Sequence, residues 1–206
     1  MSAHRGLSLL ELMIALTIVG LTASIGTTTL ALLSREERYR RDASDNLARP
    51  LAVRRTIVAW LEGAHAGGGV PNTAAAAGFQ VIDKTHAGRD ADMVIFTTAA
   101  PTPLGTGETT VQLYVDDDER TPEIGLTAEL TSWPGGPSAR LQLDSSIVAL
   151  SASCLTSLLG GRRWVPSWMS PSVLPRAIEL QLRGARKGAL SPILQLPIVV
   201  AVEGGR

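Results

Sequence analysis

The hydrophobic pattern of the chain changes character twice. From Leu7 to Leu33 apolar residues run almost without a break, and Glu11 is the only formal charge among them. A helix rising ~1.5 Å per residue over that stretch extends about 40 Å, more than the roughly 30 Å hydrocarbon core of a bilayer needs. The run therefore predicts a transmembrane helix over 7–33. It is too long for the apolar core of an ordinary secretory signal peptide. Thr22-Ala23-Ser24 mimics a cleavage site for such a peptide, but the apolar run continues past it.

From Ser34 charge returns in an ordered way. Glu36 with Arg40 and Glu37 with Arg41 are i,i+4 pairs in the favourable order, each contributing about 0.2–0.5 kcal/mol to a helix. Leu47, Leu51, Val58 and Leu61 share one stripe, with Ile57 at its edge, which predicts an amphipathic continuation of the helix over 34–65. Pro50 is expected to kink that helix or break it in two. Gly63 and the Gly67-Gly68-Gly69 run close it. The arginines of the segment, Arg49, Arg54 and Arg55 among them, read as a solvated face, with lipid headgroups or neighbouring subunits as the alternative contacts.

The third texture begins after a Gly/Ala-rich loop at 64–78 that holds Pro71 and Asn72. Short period-two segments follow, separated by turn residues. Phe79–Ile82, Met93–Thr98, Thr110–Val115 and Leu126–Thr131 are the first four predicted strands. Arg140–Leu143, Ile147–Leu155, Ala177–Leu182 and Ile193–Val202 complete the set. Val111, Leu113 and Val115 alternate with Gln112 and Tyr114, as a half-buried strand requires. Pro192 and Pro197 predict that the last strand starts late or lies at an edge. The pattern gives an α+β protein: one long N-terminal helix packed on an antiparallel, β-rich domain over 66–206.

Composition narrows the function. The 206 residues carry 19 basic and 19 acidic side chains. Such a balance excludes a broad nucleic-acid-binding surface, which needs clustered positive charge. Cys154 is the only cysteine, so no intramolecular disulfide exists, and a small buried hydrophobe is its simplest reading. No nucleophile elbow, His-Glu-x-x-His, phosphate loop or Cys-x-x-Cys occurs. His4, His65 and His86 are scattered. Asp116-Asp117-Asp118-Glu119 offers hard oxygen ligands for Ca²⁺, but residues 116, 118 and 120 read Asp, Asp, Arg, so the calcium-loop spacing fails and a solvated turn is the better reading. No metal or cofactor is implied.

Glu11 needs a partner, because an isolated carboxylate in hydrocarbon costs at least ~2.5 kcal/mol. Cleavage between Gly6 and Leu7 would create one: a new amine, with Glu11 as the fifth residue of the shortened chain. Arg5-Gly6 followed by Leu7-Ser8-Leu9-Leu10-Glu11-Leu12 resembles the class III signal of type IV pilins and type II secretion pseudopilins. The resemblance implies a leader over 1–6 that a prepilin peptidase removes after Gly6 on the cytoplasmic side. It further implies N-methylation of Leu7, which stands where the family usually has phenylalanine, and a role for Glu11 in filament assembly. The N-terminus is then cytoplasmic and the C-terminal domain periplasmic, at the bacterial inner membrane. Charge counting alone points weakly the other way, since Arg35, Arg38, Arg40 and Arg41 outnumber the leader's Arg5. Those arginines are interleaved with Glu36, Glu37, Asp42 and Asp45, and the leader motif decides.

A second, looser resemblance lies near the C-terminus. Trp164-Val165-Pro166-Ser167-Trp168, then Leu174-Pro175, then Ala177-Ile178-Glu179-Leu180, preceded by a strand around Val148–Leu150, is similar to the J-type minor pseudopilins of type II secretion. That likeness implies a structural protein and not an enzyme. Its partners would be I- and K-type minor pseudopilins and the major pseudopilin, at the tip of a short pseudopilus that supports protein export. A W-type minor pilin of a type IV pilus shares the leader and the size. A membrane-anchored periplasmic enzyme or ligand-binding domain is the contrasting class, with only the acidic turn in its favour.

Overall fold

Alternation at period two builds most of the molecule. The computed structural model describes residues 9, 12–14, 16–19, 47–66, 78–118, 120–158, 161–170, 173–186 and 190–202. The chain divides into two compact units, Met1–Leu47 and Ala48–Arg206. In the first, residues 9, 12–14 and 16–19 are helical, and Leu9, Leu12, Met13, Ile14, Leu16, Ile18 and Val19 are all exposed. The Thr17 hydroxyl donates back to the carbonyls of Met13 and Ile14, a usual way for threonine to be accommodated in a helix.

The second unit begins within helix α1, helical over 47–62, and continues through strands β1 (Ala64–His65), β2 (Phe79–Ile82), β3 (Thr85–His86), β4 (Arg89–Asp90) and β5 (Met93–Thr98). Next come β6 (Thr109–Asp116), β7 (Gly125–Ser132), β8 (Ser138–Asp144) and β9 (Ile147–Leu158). The chain ends with β10 (Gly161–Val165), β11 (Trp168–Ser170), β12 (Ala177–Gly184), the one-turn helix α2 (Pro192–Gln195) and β13 (Ile198–Ala201). One sheet has the order β11-β2-β5-β6-β7-β8, with β1 pairing the far end of β5 beyond the reach of β2. The other has the order β10-β9-β12-β13, and β3 and β4 form a separate hairpin. All the named strand pairs are antiparallel.

Both sheets bury one face in a single core. Phe79, Val81, Val94, Phe96, Val111, Leu113, Leu126 and Leu130 come from the first, and Leu150, Ala152, Cys154, Ile178, Leu180, Ile198 and Val200 from the second. The rings of Phe79 and Phe96, directly opposite across β2 and β5, stack at 5.9 Å. Helix α1 adds Val53, Ile57, Trp60 and Leu61. Full burial of side chains of this kind stabilises by roughly 1.5–3 kcal/mol each.

The expected α+β class with one long N-terminal helix is corrected by these observations. The described chain is mainly β. Its helices are α1, the single turn α2 and the short described stretches between residues 9 and 19, and none of the described residues forms a helix long and apolar enough to cross a membrane. Hydropathy records what a segment would gain on transfer to lipid. Which segments carry the fold is decided by pairing and packing, and here two sheets supply nearly all of it. Residues 20–46, which hold nearly half of the helix expected over 7–65, lie outside the described residues, as do residues 7, 8, 10, 11 and 15.

Within α1 the buried face is also rotated from the expected stripe. Leu47 and Leu51 are exposed and Val58 is only half-buried, whereas Val53, Ile57, Trp60 and Leu61 are buried. Ile57 and Leu61 are buried as expected, and with Val53 and Trp60 they follow an i, i+4, i+7, i+8 spacing, so the period was legible while the centre of the buried face lies to one side of the expected stripe. Pro50 does not break the helix, because the residues on both sides of it are helical. The helix stops at 62, where Gly63 turns the chain into β1. A Cβ on Gly63 would stand 2.8 Å from Thr98 Oγ1 and 3.0 Å from Ala100 N, so this close approach of helix end and β5 admits only glycine without adjustment.

Candidate functional site

Gly6, Leu7 and Glu11, the residues assigned to cleavage, methylation and assembly, lie outside the described residues. What the structure does place are the other groups singled out in the sequence, and they do not converge on one centre.

The acidic stretch sits where β6 leaves its sheet. Asp116 is buried at the strand end, while Asp117 and Asp118 are exposed. Asp116 Oδ1 accepts the Asp118 N–H at 3.0 Å and Oδ2 accepts the Thr121 hydroxyl at 3.0 Å, with the Arg140 guanidinium 3.7 Å from Oδ2. Asp118 Oδ1 accepts the Arg120 N–H at 3.0 Å. Short acidic side chains that bond the backbone two residues on are the usual fastening of a tight turn. Among the described residues no three His, Cys, Asp or Glu side chains assemble as a metal set.

The two described histidines are differently engaged. His65, on β1, has Nε2 3.4 Å from Glu108 Oε1, and His86, on β3, has Nε2 3.2 Å from Asp117 Oδ2. The second contact spans from the β3–β4 hairpin to the end of β6. Its turn residues Ala87 and Gly88 both have positive φ, 48° and 74°, as a two-residue hairpin of the primed type demands. Between hairpin and sheet lies a cleft of about 260 Å³ whose lining includes Met93, Val115 and Ile124 together with Lys84 and Arg89.

The tryptophan segment forms the ends of two strands. β10 pairs with β9 in one sheet, and after Pro166-Ser167 β11 pairs with β2 in the other, so the segment carries the chain between the sheets. Trp164 faces outward and is 41% exposed, which removes it from the core. Trp168 packs against the core, and its indole N–H donates to the Val173 carbonyl at 3.1 Å. β13 starts after Pro197 and forms an edge, as the two prolines predicted.

Two residues prove to be structural, Asp92, which the sequence did not single out, and Arg54, which it placed elsewhere. Asp92, just before β5, is buried, and its carboxylate accepts the Lys84 N–H at 3.0 Å and the Ala152 N–H at 2.8 Å. Its own N–H donates to the Leu150 carbonyl at 3.0 Å, so one residue fastens the root of the hairpin to β9. Burial pushes its carboxyl above the ordinary value of 3.8, the two N–H donors oppose that, and the nearby Asp83 and Asp90 charges add to it. Arg54, placed in the sequence on a solvated face, instead clamps the end of α2. One guanidinium nitrogen donates to the carbonyls of Ile193 at 3.2 Å and Leu196 at 2.8 Å, and the other to that of Pro197 at 2.8 Å. Arg49 and Arg55 are exposed. Cys154 is fully buried, and burial pushes its thiol up to about 12.

Comparison with known proteins adds one finding about the N-terminal residues. No curated protein matches the chain. A family model described as the prokaryotic N-terminal methylation motif matches residues 1–27, a span that contains Gly6, Leu7 and Glu11. The chain carries a prepilin-type signal, and that signal supports the type IV pilin and pseudopilin class.

Proposed function

We propose that this chain is a structural minor pseudopilin of a type II secretion system, assembling at the pseudopilus tip to support protein export. The observation that carries the reading is the methylation motif over residues 1–27, followed by a β-rich domain. In this reading a prepilin peptidase cuts between Gly6 and Leu7 and methylates the Leu7 amine. The Glu11 carboxylate then pairs with that amine or with the amine of a neighbouring subunit. Either group alone is costly away from water, and the pair is tolerable. Between subunits the pair also fixes axial register, since only one stagger brings the two groups together. The processed chain is held at the inner membrane with its C-terminal domain in the periplasm, and its partners are the I- and K-type minor pseudopilins and the major pseudopilin. The second reading, a W-type minor pilin of a type IV pilus, rests on the same motif and differs only in its partners.

Co-expression with a prepilin peptidase tests the first step. Intact mass should show loss of Met1–Gly6 and a methylated Leu7, and Gly6→Val should abolish the cut. A cut after Ala23 or Ser24 would remove the pilin reading altogether. Co-purification with I- and K-type partners separates the secretion role from the pilus role. Glu11→Ala should leave cleavage intact and weaken that association. Full complementation by Glu11→Ala with unchanged cross-linking would refute the assembly role.

A further inference from the structure

The cleft beneath the β3–β4 hairpin belongs to neither the processing signal nor the turn chemistry, and its charges do not cancel. On the acidic rim both oxygens of Asp116 are engaged by Asp118 N–H, the Thr121 hydroxyl and Arg140. Asp117 is paired with His86. On the hairpin, Asp90 is 3.5 Å from the Arg183 guanidinium. The neighbouring Asp83 is exposed and does not line the cleft. Lys84 and Arg89 remain: both line the cleft, both are exposed, and neither side chain has a hydrogen-bond or ion-pair partner among the described residues. Two unspent cations thus line the same cleft as the apolar side chains of Met93, Val115 and Ile124, the last of which is 44% exposed. A volume of about 260 Å³ lies below the size of pockets that take drug-sized ligands, so it suits a body no larger than a side chain or two.

We propose that this cleft binds a small amphipathic carboxylate, its apolar body against Met93, Val115 and Ile124 and its anionic group between Lys84 and Arg89. The site is rigid at its root, because Asp92 ties the hairpin's base to β9 through Lys84 N–H and Ala152 N–H. It is adjustable at its tip, where the exposed His86–Asp117 contact is the only ion pair from hairpin to β6 among the described residues.

Titration of the full chain with 3-phenylpropionate, followed by methyl NMR, tests the proposal. Saturable shifts are expected at Met93, Val115 and Ile124, and none at Leu61 or Leu194 in the core. The neutral 3-phenylpropanamide should bind more weakly. Lys84→Gln combined with Arg89→Gln should weaken the carboxylate by about 2- to 30-fold, the range two exposed ion pairs allow, and bring it to the level of the amide. Asp117→Asn removes a competing carboxylate and frees His86, so it should tighten binding. The proposal is overturned if the carboxylate and amide bind alike, if the cleft methyls do not saturate, or if the double variant binds as the native chain does. Both substituted side chains are exposed, and unchanged Leu61 and Leu194 resonances in the variant verify that the fold is retained.

Discussion

Replacing Asp92 by asparagine asks whether one buried carboxylate holds the hairpin root and β9 together. The native carboxylate accepts two backbone N–H groups, at 3.0 and 2.8 Å, in a residue only 4% exposed. Hydrogen bonds to a charged group are each worth about 1.5–3 kcal/mol, and a buried donor left without an acceptor costs about 1–3 kcal/mol. Asparagine keeps one acceptor oxygen and turns an NH₂ toward the other N–H. It also relieves the cost of burying a charge, which acts in the opposite direction. The unsatisfied donor wins on these magnitudes, so Asp92→Asn should destabilise by about 1–3 kcal/mol and lower the melting temperature by roughly 2–12 °C. Asp92→Ala, which orphans both donors, should cost roughly twice as much.

The pH dependence supplies an independent check on the same residue. The folded carboxyl keeps its proton to higher pH than the unfolded one, so the folded state binds more protons between 3.8 and the raised folded value. Across that window the wild-type chain loses stability as pH rises, and above it the loss is constant. Asp92→Asn lacks this contribution, so its deficit relative to wild type should be larger at the acid end than at neutral pH. Thermal unfolding at pH 3.5, 5 and 7 measures both effects. A variant as stable as wild type at all three would refute the claim that lost hydrogen bonds outweigh the relief of the buried charge, and a deficit that grows toward neutral pH would refute the upward shift of the folded carboxyl.

Three further substitutions probe other contacts. Gly63→Ala should cost about 1–3 kcal/mol, since its Cβ must displace the Thr98 hydroxyl that accepts the Ala100 N–H at 3.1 Å, and Gly63→Val should cost more; chemical denaturation measures both. Arg54→Ala should destabilise by roughly 1–3 kcal/mol and accelerate amide exchange over α2 and β13, with Arg54→Lys intermediate because an ammonium lacks the planar fork that reaches three carbonyls. Cys154 should not react with a maleimide in the native chain at pH 8 and should react fully once the chain is unfolded, because its thiol is buried and held at about 12. Rapid native labelling would show that the core opens at β9.

The sequence by itself determined the local periods and the linear signal. β2 and β5 run from Phe79 to Ile82 and from Met93 to Thr98, as their alternation predicted, and β6, β7 and β8 exceed their predicted ends by only a residue or two. Such segments are legible because a half-buried strand needs its apolar side chains every second residue, whatever it pairs with. The prepilin-type signal over residues 1–27 is legible for a related reason: it is written in consecutive residues and needs no fold to be recognised. Tertiary structure decided what depends on partners distant in the chain. Which side of α1 faces the core depended on where the sheets lay, so Leu47 and Leu51 ended in solvent and Trp60 inside. The Arg-Arg-Trp of β10 has no clear alternation, and only pairing with β9 makes it a strand. Asp92 looks like any loop aspartate until Lys84 and Ala152 bring two N–H groups to it from different elements. The predicted dominance of one long helix failed on the same ground, because an apolar run states a preference for leaving water and not which surface receives it.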